Sequence, residues 1–379
     1  MWIHEHQNWP NFTWDADALS AQLAHIRYRQ GRLLGRMEGL GFELKQEASL
    51  STLTNDIVKS TAIEGENLNP EEVRSSIARR LGIDVAGLIF PSRNVEGIVE
   101  LMLDATQMFS RELTKERLFG WHAALFPTGR RGMHPMTVGR WCTLDAGPMQ
   151  VVSGPIGREN VHFEAPSADR LESEMKAFLA WFERQVDIDP VLKAGIAHLW
   201  FVTIHPFEDG NGRIARAIGD MALARADGVS GRFYSLSSQI ESERQDYYDQ
   251  LERQQLSSPE ITGWLEWFLG CLGRAISSAE ITLGNVLFKA KLWNKINQNP
   301  VNERQRLVIN RMLADNFQGY MNTSKYAKLA KCSTDTALRD IQDLKARGIL
   351  VQNPGGGRST SYQLLEEIDI FPLSSKPRN

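Results

Sequence analysis

His205-Pro206-Phe207-Glu208-Asp209-Gly210-Asn211-Gly212-Arg213-Ile214-Ala215-Arg216, HPFEDGNGRIAR in one-letter code, is the stretch around which the rest of the chain is read. The segment before it, 193–204, is apolar on nearly every side, which predicts a buried helix. After it, Ile214, Ala217, Ile218 and Met221 recur at helical spacing. The stretch is therefore a loop between two helices, with its glycines at the N-terminus of the second. Free N–H groups and the positive end of the helix dipole meet there, which suits phosphate. Gly210 and Gly212 allow positive φ and let the backbone approach an anion closely. His205 is a base near neutral pH, Asp209 is a carboxylate suited to Mg²⁺, and Arg213 and Arg216 share a helix face from which to clamp phosphate oxygens. A base, a metal ligand and an anion cradle together describe phosphoryl or nucleotidyl transfer to a hydroxyl.

The stretch resembles the signature of the Fic family, HPFx[D/E]GNGRxxR, with no departure at a defined position. The resemblance implies a mainly α protein, with a helical Fic core and a β-hairpin flap. It implies transfer of AMP from ATP to a Ser, Thr or Tyr hydroxyl of a target protein or of the chain itself. His205 would be the general base, Asp209 the magnesium ligand, Gly210, Asn211, Gly212 and Arg213 the phosphate cradle, and Arg216 the contact to the terminal phosphate. Removal of AMP, or transfer of phosphate or another nucleotide moiety, stays open on the same fold.

Upstream, Leu50, Leu53, Ile57, Thr61 and Glu64 fall at steps of three and four and share one helix face, with Gly65 as its stop. Asn69-Pro70-Glu71-Glu72 then reads as an N-cap, a proline at the first helical position and two acids in the first turn. On pattern alone Glu64 is an exposed residue at a frayed helix end. The resemblance reverses that reading. Ser60-Thr61-Ala62-Ile63-Glu64-Gly65 matches the inhibitory motif [S/T]xxxE[G/N], whose glutamate pairs with the second arginine of the signature, here Arg216.

The remaining segments divide by pattern. A helix is expected from Ala18 to about Leu44, and further helices through residues 70–135. His122 falls on one of these and reads as a hydrogen-bonded core histidine. Around 148–163 the helical period is lost, and two short strands flank a Gly-Pro-Ile-Gly turn. The resemblance makes this hairpin the flap, whose backbone at Val151 and Val152 would register a target peptide by strand pairing. It also implies that Tyr247 or Tyr248 stacks on adenine, and leaves Gln255 where some relatives carry an asparagine. These readings give an N-terminal helical region at 1–105 with the inhibitory helix at about 48–65, a catalytic core at 106–278, and a connecting helix at 279–300.

Residues 301–379 change character. Three helices followed by a strand, a glycine turn and a strand read as a winged helix–turn–helix. Ten Lys or Arg against five Asp or Glu between 301 and 360 give this piece +5, while the 379-residue chain carries −3. Thr334, Thr336, Arg339 and Lys345 would face a major groove if it binds DNA; docking to protein or a homodimer is the other use of such a module. An ATP-sensing, DNA-binding transcriptional regulator is accordingly the alternative from outside enzymology. Composition, 42% hydrophobic and 23% charged, is that of an ordinary globular protein. Three scattered cysteines, no signal-peptide pattern and no membrane-length apolar run lead to the expectation of a cytoplasmic chain with no membrane contact.

Overall fold

The structure, a computed structural model, describes residues 1–365 except 85–86, 132–133, 144–146, 154–157, 159, 186, 232, 314–316, 318 and 355–359. The turns expected at 154–157 and 355–358 lie outside the described residues. Two units divide the chain, Met1–Ala279 and Glu280–Asn379.

The first unit opens with a short turn, Ile3–Glu5, followed by α1 (Ala16–Glu38), α2 (Phe42–Ile63), α3 (Pro70–Leu81), α4 (Arg93–Gln107) and α5 (Lys115–Leu125). Two antiparallel pairs come next: β1 (Arg130–Arg131) with β2 (His134–Pro135), and β3 (Gln150–Ser153) with β4 (Asn160–Glu164). Then follow α6 (Ala168–Glu183), α7 (Pro190–Ile204), α8 (Asn211–Asp227), α9 (Leu236–Ser242), α10 (Arg244–Gln255) and α11 (Thr262–Gln298).

Two expectations need correction. The single helix expected from Ala18 to about Leu44 is broken. Gly39 ends α1 and Gly41 caps α2, so two glycines flanking Leu40 interrupt it. The separate core and connecting helices form one helix, α11, because the composition shift near residue 279 contains no proline to stop it.

The centre of this unit is the α7–α8 pair. Asp189 caps α7 by accepting from Val191 N at 2.8 Å, and Pro190 starts it. Every residue from Ala194 to Ile204 is buried. A helix that is apolar all round belongs in a core. Each fully buried Leu, Ile or Phe on it contributes roughly 1.5–3 kcal/mol. The two helices therefore hold the loop between them far more firmly than the loop's own few contacts do.

The second unit comprises the end of α11, α12 (Glu303–Met312), α13 (Thr323–Ala330), α14 (Thr334–Ala346) and an antiparallel pair, β5 (Leu350–Gln352) with β6 (Tyr362–Leu364). It has its own core, built on Val308, Ile309, Tyr326, Ile341, Leu344 and Leu350. Asn302, Ser333 and Asn322 cap its three short helices. Among the described residues no helix is long and apolar enough to cross a membrane.

Candidate active site

Helix α7 ends on His205, whose φ of 51° and ψ of 55° put a non-glycine residue in the left-handed region. Such strain is sparse in proteins and concentrates where function requires it. Its Nδ1 lies 3.1 Å from Val202 O. A carbonyl only accepts, so Nδ1 carries the hydrogen and Nε2 is left with a lone pair. Burial of the ring pushes its pKa below the usual histidine value, against the opposing pull of that backbone bond, Glu64 and Asp209. The imidazole is therefore neutral near pH 7, the form a general base requires.

The loop after it is pinned from within. Phe207 is fully buried and stacks on His122 at 4.2 Å. Asn211 closes the loop by accepting from Phe207 N at 3.0 Å and donating to Phe207 O at 2.7 Å. Glu208 accepts from Thr137 N, which ties it into the adjoining strand region. Asp209 is half-buried and accepts from Gly210 N at 2.6 Å. Gly210 has φ 79°, and a Cβ there would come within 2.9 Å of the Phe126 ring. The first intrahelical bond of α8 runs from Ile214 N to Gly210 O, so the N–H groups of Asn211, Gly212 and Arg213 precede it.

A carboxylate lies against the first turn of α8, beside Gly212. Glu64 Oε1 occupies the place a Cβ on Gly212 would need, and it accepts from Arg216 Nη2 at 2.8 Å. Arg216, 2% exposed, also donates through Nε to Ser60 Oγ and through Nη2 to Ser60 O. Burial alone would raise the Glu64 carboxyl; the charge and hydrogen bond of Arg216, with Arg213 and His205 further off, hold it below the usual range. Glu64 is thus an anion seated at a helix N-terminus against a buried guanidinium.

A second carboxylate adjoins the first. Helix α2 ends in a Schellman turn: Glu66 N donates to Thr61 O and Gly65 N to Ala62 O, with Gly65 at φ 84°. That turn carries Glu66 toward Arg213, whose Nη1 donates to Glu66 Oε2 at 3.3 Å. Glu66 is missing from the sequence reading, because nothing in its local pattern says that the chain turns back there. Two buried donors of this site, Arg213 Nε and Arg216 Nη1, have no acceptor among the described residues. An anion with several oxygens would satisfy both.

Residues 112–223 match the model of the Fic/DOC family, and residues 2–83 that of a domain of unknown function, DUF4172. The chain carries a Fic/DOC domain. Over 173 residues it is 27% identical to protein adenylyltransferase fic-1 of Caenorhabditis elegans, covering 45% of this chain and 31% of that protein. Over 229 residues it is 25% identical to protein adenylyltransferase Fic of Nematostella vectensis, covering 59% and 47%. The chain thus spans less than half the length of these curated relatives. In fold it is similar to a Fic family protein from Desulfovibrio desulfuricans G20, with a TM-score of 0.50 and 21% identity over 91% of this chain and 96% of that one.

Around the Fic signature the other expected site residues divide. Tyr247 is 1% exposed, and its hydroxyl meets His198 Nε2 at 2.9 Å in the core. Of the two tyrosines expected at adenine, Tyr247 thus faces the core. Tyr248, half-buried, keeps an open surface and donates to Ile63 O at 3.3 Å, in the last turn of α2. Gln255 is buried and reaches Thr203 Oγ1 at 3.4 Å. His122 is buried and accepts from Gly139 N, as a core histidine does. On the hairpin, Val151 and Val152 are exposed on β3, all of whose residues are open.

In the second unit, Thr334, Arg339 and Lys345 are exposed along α14, while Thr336 is half-buried and its N–H is capped by Ser333.

Proposed function

We propose that the protein transfers AMP from ATP to a hydroxyl of a protein, and that Glu64 holds it inactive by pairing with Arg216. The observation that carries this reading is the Glu64 carboxylate lodged over Gly212 and bonded to Arg216, an anion in a site built for a larger one. The curated relatives named as protein adenylyltransferases support the same chemistry.

In the reaction, His205 Nε2 takes the proton of the acceptor hydroxyl as its oxygen attacks the α-phosphorus. The bond from that phosphorus to the bridging oxygen breaks, and pyrophosphate leaves. The N–H groups at the start of α8 hold the phosphate oxygens, and Arg213 and Arg216 hold the departing end. Tyr248, the less buried of the tyrosine pair, is the ring available to adenine. Among the described residues no three His, Cys, Asp or Glu side chains gather into a metal cage. One carboxylate beside an anion cradle instead fits a Mg²⁺ shared with the bound phosphates, and Asp209 is the residue that would hold it. Such an ion would neutralise charge on the phosphate oxygens.

The test is purified protein with mass-tagged ATP. Glu64→Gly is expected to raise self-modification well above the wild-type level, and His205→Ala to abolish it in that background. If both variants match the wild type, the reading is wrong. Intact mass separates AMP from phosphate transfer, since the two add different masses.

A second reading concerns the C-terminal unit alone, where exposed Thr334, Arg339 and Lys345 on α14 accompany the basic excess. We propose that this helix contacts DNA. A gel shift on the DNA upstream of the protein's own coding sequence, falling off steeply with salt, is expected; absence of a shift at low salt removes the idea.

A further inference from the structure

The β3–β4 hairpin contains an irregularity. Val151 pairs with Phe163, but the next residue, Val152, pairs with Val161, so His162 is the extra residue of a bulge in β4. A bulge releases one residue from the alternation of a strand and re-aims its side chain. Here the ring turns to two partners. Nε2 lies 2.6 Å from Ser153 Oγ on β3, and Nδ1 lies 3.1 Å from Glu252 Oε2 on α10. A carboxylate only accepts, so Nδ1–H donates to Glu252, and in the neutral ring Nε2 accepts from the Ser153 hydroxyl. The line Ser153–His162–Glu252 therefore ties both strands of the hairpin to the helix that carries Tyr248.

The neighbouring residues of β4 are held from the other side. Phe163 is buried against Trp2 and His4, with ring centroids at 5.4 and 5.9 Å. His4 Nε2 donates to Glu164 O at 2.8 Å, and the backbone of His4 is in turn held by Arg170. Three consecutive residues of β4 are thus anchored, whereas β3, among the described residues, pairs only with β4 and is open along its length. An anchored inner strand and an exposed outer one form a fixed edge to which an extended peptide can add.

We propose that His162 is a positioning residue, which through Ser153 and Glu252 sets where the outer strand of the hairpin presents an acceptor hydroxyl. The proposal rests on AMP transfer as the activity and on the hairpin as the acceptor's docking strand. It touches neither the phosphate cradle nor His205. A reacting oxygen has to lie within a few tenths of an ångström of its in-line position, so loosening the strand affects transfer and leaves nucleotide binding alone.

The experiment uses the full chain carrying Glu64→Gly as enzyme, and a tagged His205→Ala copy of the same chain as acceptor. Into the enzyme go His162→Ala, Glu252→Gln, or both. Hydrogen exchange of the amides at 150–153 and 160–164, the affinity for magnesium-ATP and AMP incorporation into the acceptor are measured. His162→Ala is expected to speed exchange across both strands and lower transfer about tenfold or more. ATP affinity should stay within about twofold. Glu252→Gln should act in the same direction, and the double variant should fall short of the product of the two single effects. Unchanged exchange, or ATP affinity falling in step with transfer, overturns the proposal. If the parent enzyme modifies no protein, AMP transfer as the activity has failed, and the exchange result alone then decides whether His162 fixes the hairpin.

Discussion

A carboxylate three residues beyond a helix end approaches another helix only if the chain is turned back toward it. Gly65 supplies that turn, and Glu66 reaches Arg213 as Glu64 reaches Arg216. The two contacts are unequal. Arg216 is buried and triply bonded, whereas the Glu66 side chain is 59% exposed and makes one long bond. An exposed partner contributes roughly 0–1 kcal/mol. Glu66→Gln is therefore expected to raise self-modification by a few-fold at most, less than Glu64→Gly, and to tighten ATP binding slightly. Titration of ATP into the two variants checks the order; a Glu66 effect equal to that of Glu64 would show the exposed contact to be the stronger lock.

Two core histidines carry a prediction about acid. Burial lowers His198 to about 3 and His122 to about 4. Burial also lowers His4 and His205. Below about pH 6.5 the unfolded chain binds protons that the folded chain refuses, so the stability held by these neutral rings is complete above that value and is lost as pH falls. His122 and His198 should each cost roughly 2 kcal/mol by pH 5. The urea midpoint should drop between pH 7.5 and 5, and His198→Gln should remove part of the drop. A midpoint flat across that range would mean the rings are protonated when folded.

Among the elements, the loop between α7 and α8 depends on Asn211, which satisfies both main-chain polar groups of buried Phe207. Asn211→Ala would orphan both, at about 1–3 kcal/mol for each buried group. Calorimetry should show Tm lower by roughly 2–4 °C for every kcal/mol lost. An unchanged Tm would mean that the Phe207 ring alone holds the loop. This loop is the part of the site most legible in the sequence, because glycines, a buried apolar helix before it and helical spacing after it allow one arrangement. Glu66 is illegible for the opposite reason: its partner is chosen by a turn and by where α8 lies, neither of which its neighbours in sequence encode. The same holds for Tyr247 and Tyr248. Periodicity places both on one helix and says nothing about which faces His198. The bulge at His162 is equally silent, since a bulge is a property of two paired strands.

At the scale of the molecule, the helical class, the hairpin and the C-terminal three-helix unit with its strand pair follow from pattern. Helix joins and breaks are read less well. Gly39 and Gly41 split one expected helix, while α11 runs through a change of composition that reads as a boundary. Glycines and prolines act locally, but whether a helix continues depends on packing along its whole length.

Glu64 and Arg216 belong to the same chain, and the 2.8 Å bond between them forms within one folded unit. In the proposed reading Glu64 is a blocker attached to the site it blocks, and so faces it at a fixed effective concentration, whatever the number of molecules per litre. Diluting the wild-type protein from micromolar to nanomolar should therefore release no ATP-binding capacity. A blocker supplied by a neighbouring molecule would let go over that range.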